Sequence, residues 1–361
     1  MKAMVLAAGY GERMKPLTWD RAKPALPLLN RPSILHLLEH LSRNGVSQVV
    51  LNLHYRPETI RALQPRIQEL GLRAGFSEEP TILGTGGGLK KAEPFLLDGT
   101  IVMVNSDFVT DCPILLALDH HRRTKAMATL VLTPYHEGTE YGAVEMDETG
   151  RILRIAGRPG GETGKPRYHF TGIHILEPSV FQAIPPVGKS EINREVYPRL
   201  IESGARIGGF LHDGFWRELG TPQRYLDGSL DLLTRGDSPY LQKIRVREGI
   251  FSETPLASVQ GAIEPVFLAG SDLKMEAGTF AAGVVLGSRA HIRQGASLTR
   301  TVLWDDVVVG DRASLHECIV GCGAQIPPGI RLQRKIILDA ASYRGDLKGL
   351  EKMDRLILAA F

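Results

Sequence analysis

The segment Ala7-Ala8-Gly9-Tyr10-Gly11-Glu12-Arg13-Met14-Lys15-Pro16-Leu17-Thr18 combines two glycines with a fixed cation. Glycines at 9 and 11 let the backbone approach a ligand closely and turn its N–H groups toward phosphate oxygens, and Arg13 adds a permanent positive charge. Lys23, followed by Pro24, supplies a second cation before the segment ends at Pro27. Dinucleotide-binding dehydrogenases also use a strand-glycine-glycine loop, but Met14 stands where their third glycine belongs, and the lysine-serine or lysine-threonine of a P-loop is missing. What remains is a phosphate cradle with its own cation, chemistry that suits a departing pyrophosphate.

Asp107 follows the apolar run Ile101–Val104, which puts it at the C-terminal end of a parallel strand, where ligands of open α/β sheets bind. Its carboxylate is the candidate magnesium ligand, a helix cap being the alternative role for an aspartate after a buried strand. Gly84-Thr85-Gly86-Gly87-Gly88 opens a helical stretch with four glycines in five positions, too many for an ordinary flexible turn.

The elements that must position these residues alternate in type. Strand-like Ala3–Ala7, helix-like Ile34–Arg43, strand-like Val49–Leu53, helix-like Glu58–Leu70 and strand-like Ile101–Val104 predict a mostly parallel sheet covered by helices. Arg31-Pro32-Ser33 opens the first helix and Asn44-Gly45 closes it, while Pro65 should kink or split the second. From Leu286 the pattern changes. Apolar residues recur at Leu286, Ile292, Leu298, Leu303, Val309, Leu315, Val320, Ile326 and Leu332, in steps of six, six and five with small or turn-forming residues between them. Each triplet is one coil of a three-sided parallel β-helix. Val259–Phe280 reads as one or two less regular coils, because Lys274 falls where an apolar residue is expected. Leu226–Leu233 is the last helix of the first domain and Thr234–Pro239 its breaker. The expected domains are therefore 1–235, a linker 236–258, a β-helix 259–335 and a tail 336–361, where Leu350, Met353, Leu356, Ile357 and Phe361 have the spacing of a terminal helix.

Composition narrows the function classes. With 361 residues, 43% hydrophobic and 23% charged, two globular domains are the prior, and a formal net charge of +3 gives no reason to expect nucleic acid or a membrane surface as partner. No apolar run approaches the roughly 20 residues of a transmembrane helix, so a cytoplasmic location is expected. The odd number of cysteines, Cys112, Cys318 and Cys322, fits reduced thiols better than a disulfide framework.

LAAGYGERMKPLTWDRAKPALPL, from Leu6 to Leu28, resembles the signature of the sugar-phosphate nucleotidylyltransferases. The resemblance extends through ILGTGGGLKKA at Ile82–Ala92, VNSDF at Val104–Phe108, YGAVEMDE at Tyr141–Glu148, FTGIHILEP at Phe170–Pro178 and FWRELGTPQRYLDG at Phe215–Gly228. The coils, especially TVLWDDVVVG at Thr301–Gly310, are similar to the hexapeptide domain of the mannose-1-phosphate guanylyltransferase branch. This implies a Rossmann-like nucleotidyltransferase domain followed by a small left-handed parallel β-helix. It also implies a nucleoside triphosphate and a sugar 1-phosphate as substrates, with GTP and mannose 1-phosphate ahead of uridylyl transfer to N-acetylmuramic acid 1-phosphate or another hexose 1-phosphate.

The resemblance further implies a direct in-line displacement at the α-phosphorus, aided by Mg²⁺. Arg13 would hold the leaving phosphates and Lys23 the α-phosphate side. Leu6, Ala7, Ala8, Gly9, Gly11, Gly84, Thr85, Gly86 and Gly87 would bind the nucleotide, and Tyr141, Gly142, Thr171 and Gly172 would face the sugar. The family's second metal ligand, an aspartate before Gly-Thr, is here Glu218, and the lysine of its Glu-Lys-Pro is here Arg158. Ala22 stands where proline usually precedes the lysine. The hexapeptide domain implies assembly into a homo-oligomer.

Three rival readings draw on other features. His36-Leu37-Leu38-Glu39-His40 fits an inverted zinc-protease motif, but it lies on a helix whose apolar stripe faces a core and has no evident third ligand, so surface histidines are the reading. His120-His121-Arg122-Arg123 reads as a solvated helix end. His291 and His316 lie in the coils, where acyltransferases place a general base, yet a scaffold role suits a domain of three or four coils better. A nucleotide-sugar sensor without activity is the third reading, motivated by Glu218 and the altered Glu-Lys-Pro.

Overall fold

The computed structural model describes residues 1–135, 143–160, 163–256 and 259–361. Its contacts gather into two compact units, one of Met1–Tyr10, Ala22–Pro24 and Ile34–Trp216, the other of Gly11–Arg21, Ala25–Ser33 and Arg217–Phe361.

In the first unit β1 (Lys2–Leu6), α1 (Ser33–Arg43), β2 (Gln48–Leu53), β3 (Arg73–Glu78), α2 (Gly84–Lys91), β4 (Ile101–Asn105), α3 (Ile114–Thr124) and β5 (Ala128–Pro134) follow in order. β6 (Val144–Met146), β7 (Ile152–Ile155), β8 (Arg167–Leu176), α4 (Tyr197–Glu202) and β9 (Ile207–Leu211) complete it. The nine strands form one sheet. β4, β1, β2 and β3 are adjacent and parallel, with Leu6 opposite both Asn52 and Asn105, and β8 runs antiparallel against β4 and β5. Ala3–Val5, Val49–Leu51 and Ile101–Val104 are buried almost without interruption, as central parallel strands covered on both faces must be.

Helix α1 buries Ile34, Leu35, Leu38 and Leu41 and ends at Gly45, whose φ of 82° is the left-handed cap expected of the Asn-Gly pair. The stretch around Pro65 is split into Pro57–Arg61 and Gln64–Glu69, because proline cannot donate into a continuous helix. His121 departs from expectation. It is 1% exposed rather than solvated, with its ring nitrogens on Thr129 and Glu177.

In the second unit α5 (Pro222–Arg235) is N-capped by the Thr221 hydroxyl and closed by Gly236. This helix belongs to the same compact unit as the coils, so packing divides the chain near Trp216, earlier than the composition change at 235. All nine apolar residues of the six-six-five series lie in one buried cluster. The coils stack in parallel register, with Lys274, His291, Val308 and Gln325 in one column and Phe280, Ser297, Ser314 and Arg331 in another. Left-handed residues recur at the corners, as at Asp272, Arg289, Asp306 and Gly323.

The coils begin earlier and more regularly than expected. Ile250–Ser252 pairs in parallel with Phe267–Ala269, and Lys274 does not interrupt the core because it points outward while Met275 is buried. The C-terminal tail is not helical. Glu351–Met353 and Leu356–Ala360 form a hairpin around Asp354-Arg355, and its second strand pairs antiparallel with Lys335–Asp339. The open edge of the last coil supplies backbone partners, and Leu356 and Leu358 alternate into the core, which outweighs the helical spacing. Among the described residues no helix is long and apolar enough to cross a membrane.

Candidate active site

The glycine loop leaves β1 at the C-terminal edge of the parallel strands. Ala7 and Ala8 are buried, and a Cβ added at Gly9 would meet nothing within 4 Å, so this glycine borders open space. Gly11 has φ 64° and opens the turn Glu12–Met14, and its carbonyl accepts from the Thr18 hydroxyl at 3.1 Å. The loop's entry is fixed by side chains that sequence reasoning passed over. Ala7 N–H donates to Asn52 Oδ1 at 2.7 Å, Asn52 Nδ2 donates to Glu79 Oε1 at 2.7 Å, and Leu83 N–H donates to Glu79 Oε2 at 2.8 Å. Asn52 and Glu79 are each 3% exposed, so one buried amide–carboxylate pair ties the start of the glycine loop to the start of α2. His54 adds a second tie, from the Glu79 carbonyl to the Tyr10 hydroxyl. A polar residue inside the apolar strand Val49–Leu53 was the available signal.

The glycine cluster does open a helix, α2, but its first amides are already engaged. Gly86 and Gly87 N–H donate to the Ser190 carbonyl, and the Thr85 hydroxyl donates to Glu191 Oε2 while accepting from Ile192 N–H. Added Cβ atoms would meet Ser190 O at 2.6 Å from Gly84, Gly188 O at 2.7 Å from Gly87 and Glu79 Oε1 at 2.7 Å from Gly88. These glycines are therefore required by close packing within the protein.

The charged candidates form two ion pairs, one in each unit. In the first unit Lys23 Nζ donates to Asp107 Oδ2 at 2.7 Å, with side chains 14% and 27% exposed. The neighbouring Ser106 hydroxyl donates to the Leu6 carbonyl, which fastens this turn to the end of β1. In the second unit Glu218, 10% exposed, accepts from Arg13 Nη2 at 3.1 Å and from Arg224 Nη1 at 2.6 Å. A Cβ at residue 220 would fall on Glu218 Oε1, so Gly220 is what admits the longer carboxylate.

The donor set suits magnesium at one carboxylate and not at the other. Asp107 uses Oδ2 for Lys23, and Oδ1 makes no hydrogen bond within the described residues, an oxygen of the hard kind Mg²⁺ prefers. Both Glu218 oxygens are held by guanidinium groups, whose positive charge opposes a cation.

Of the expected sugar-facing residues, Thr171 is 2% exposed and donates to the Val131 carbonyl, while its own carbonyl accepts from Trp216 Nε1. Gly172 has φ 90°, and a Cβ there would lie 2.8 Å from Asn105 Nδ2, so the irregularity in β8 keeps Asn105 against the strand. Arg158 lines a cavity of about 450 Å³ with Arg194 and Arg199. Tyr141 and Gly142 lie outside the described residues. The rival histidines are committed elsewhere: His40 Nε2 meets the Cys112 carbonyl, His291 meets Glu276 and His316 meets the Thr299 hydroxyl.

Known proteins resemble the chain over most of its length. Residues 2–235 match the family model "Nucleotidyl transferase", and 271–350 match "GlmU-like, C-terminal hexapeptide". A probable mannose-1-phosphate guanylyltransferase 3 of Oryza sativa subsp. japonica is 30% identical, the alignment covering 96% of this chain and 93% of that protein. The UTP–glucose-1-phosphate uridylyltransferase of Synechocystis is 29% identical over 99% of both chains. The solved structure of HddC from Yersinia pseudotuberculosis shares the fold at a TM-score of 0.55 and 19% identity, covering 64% of this chain and 99% of that one. With a nucleotidyl transferase model matching residues 2–235 and relatives aligned over nearly the whole chain, the chain belongs to the nucleotidyl transferase family and is an enzyme of that family.

Proposed function

We propose that the protein transfers a guanylyl group from GTP to mannose 1-phosphate, giving GDP-mannose and pyrophosphate. The observation that carries nucleotidyl transfer is the Lys23–Asp107 pair at the end of the central strands, beside a glycine loop whose entry is locked by Asn52. The choice of base and sugar rests on the guanylyltransferases that align with nearly the whole chain. A phosphate oxygen of the sugar 1-phosphate attacks the α-phosphorus, the bond to the bridging oxygen breaks, and pyrophosphate carries away the electron pair. No proton needs a dedicated base, so the protein's work is positioning and charge neutralisation. Lys23 faces the α-phosphate, and Arg13, paired with Glu218, faces the leaving phosphates. Asp107 would hold a magnesium ion, which would supply neutralising charge for the phosphate oxygens. The coils join copies of the chain into a homo-oligomer.

The Synechocystis relative motivates a second reading, uridylyl transfer to glucose 1-phosphate or another hexose 1-phosphate. A matrix of GTP, UTP, ATP and dTTP against mannose, glucose and N-acetylmuramic acid 1-phosphates, followed by pyrophosphate release, separates the two. The highest kcat/KM is expected for GTP with mannose 1-phosphate. A UTP pair in first place selects the second reading, and no release with any pair, despite tight binding of a nucleotide sugar, rejects catalysis.

A further inference from the structure

The signature segment is held on both sides of Lys23 by residues of the β-helix unit. Pro27–Leu28 and Arg31–Pro32 form a small hairpin whose turn residues, Leu29 and Asn30, have φ of 49° and 62°. Such a turn favours asparagine and glycine, and a leucine in the left-handed region is strained. Leu29 is 1% exposed, so the turn is kept by its surroundings rather than by its own preference. Those surroundings are the coils and α5. Asn30 Nδ2 donates to the Leu286 carbonyl at 2.9 Å, the Tyr225 hydroxyl donates to the Pro27 carbonyl, and Trp304 Nε1 donates to Tyr225 Oη at 3.1 Å. On the other side of Lys23, the Arg21 guanidinium lies over the Trp304 ring, 5.1 Å from its centroid, and Trp19 meets Tyr343 edge to face at 5.3 Å. Trp304 is 4% exposed and Tyr225 1%, so this is a built contact and not surface adhesion.

We propose that the β-helix positions Arg13: Trp304, through Tyr225 and Arg21, and Leu286, through Asn30, hold the stretches Gly11–Arg21 and Ala25–Ser33 of their own unit, the first of which carries Arg13. This gives the coils a role beyond assembly, and it rests on the reading of that segment as the triphosphate cradle. Trp304 and Asn30 are positioning residues, since neither is placed against substrate.

The test uses the full chain. Trp304→Phe removes the Nε1–H donor but keeps an aromatic face under Arg21, and Asn30→Asp removes the other donor while tolerating the left-handed turn. Each should raise amide hydrogen exchange across residues 16–33 and raise the KM for the triphosphate about three- to tenfold, the effect of one hydrogen bond, with Tm nearly unchanged. The double variant should show both effects more strongly. Unchanged exchange across 16–33 in both single variants overturns the proposal, as does an unchanged KM accompanied by faster exchange. Exchange is read without turnover, and pyrophosphate release by the unaltered protein tests the cradle reading separately, so the two failures are distinguishable.

Discussion

Lys23–Asp107 and Arg13–Glu218 each join a cation of the signature segment to a carboxylate at or just beyond the end of a strand, yet the two carboxylates finish in different states. Among the described residues Asp107 has one hydrogen-bond partner and one oxygen to spare, whereas Glu218 sits between two guanidinium groups with both oxygens taken. One extra methylene accounts for the contrast, because it lets Glu218 fold over Gly220 and reach Arg224 as well as Arg13. The same side-chain chemistry thus leaves an oxygen open in one unit and anchors cations with both oxygens in the other. The carboxylate's reach decides which.

The largest effect should come from breaking the open pair. Asp107→Asn is expected to lower kcat about 10³-fold, as loss of a central electrostatic element does, and to abolish Mn²⁺ binding followed by electron paramagnetic resonance. Glu218→Gln should leave Mn²⁺ affinity within about twofold and lower kcat/KM about tenfold, because Arg13 loses a charged partner. Loss of Mn²⁺ binding in the Glu218 variant, with retention in the Asp107 variant, would reverse the assignment.

A second contrast lies between the glycines. Gly88→Ala drives a Cβ into the Glu79–Asn52 pair and should cost about 1–3 kcal/mol of stability, read as a lower Tm. Gly9→Ala meets only open space, so Tm should hold while the KM for the triphosphate rises about tenfold, since the methyl stands where phosphate would approach. A fall in Tm for Gly9→Ala would make it a packing residue like Gly88.

These contrasts show what a sequence can display. The six-six-five recurrence was legible because inward residues repeat along one chain, and the signature was legible because its glycines and cations are contiguous. The Asn52–Glu79 pair was hidden, since its meaning arises only when β1 and β2 are adjacent and Ala7 N–H lacks another partner. Lys274 and the C-terminal hairpin misled for one reason: a strand's inward face is set by register with its neighbours, which spacing within the strand does not reveal. Arg289, Arg300 and Arg312 occupy left-handed corners that glycine holds elsewhere, so corner geometry is imposed by stacking and is invisible in residue type.

A last contrast separates the units by acid. His174 is wholly buried with its Nδ1 on the Tyr197 hydroxyl, and burial pushes its pKa down to about 3. His40, His120 and His121 are also lowered, in each case chiefly by burial, and all four lie in the α/β unit. The unfolded chain protonates these rings near pH 6.5, while folded His174 stays neutral until about pH 3. Stability is therefore full above pH 6.5 and falls as pH drops toward 3, by about 2 kcal/mol at pH 5 for His174 alone. Melting curves between pH 7 and 5 should show the transition reported by Trp216, in the α/β unit, moving to lower temperature ahead of the one reported by Trp304, and His174→Gln should flatten that pH dependence. Parallel shifts at both tryptophans would mean that the two units unfold as one cooperative body, in which case the buried histidines set the acid limit of the whole enzyme.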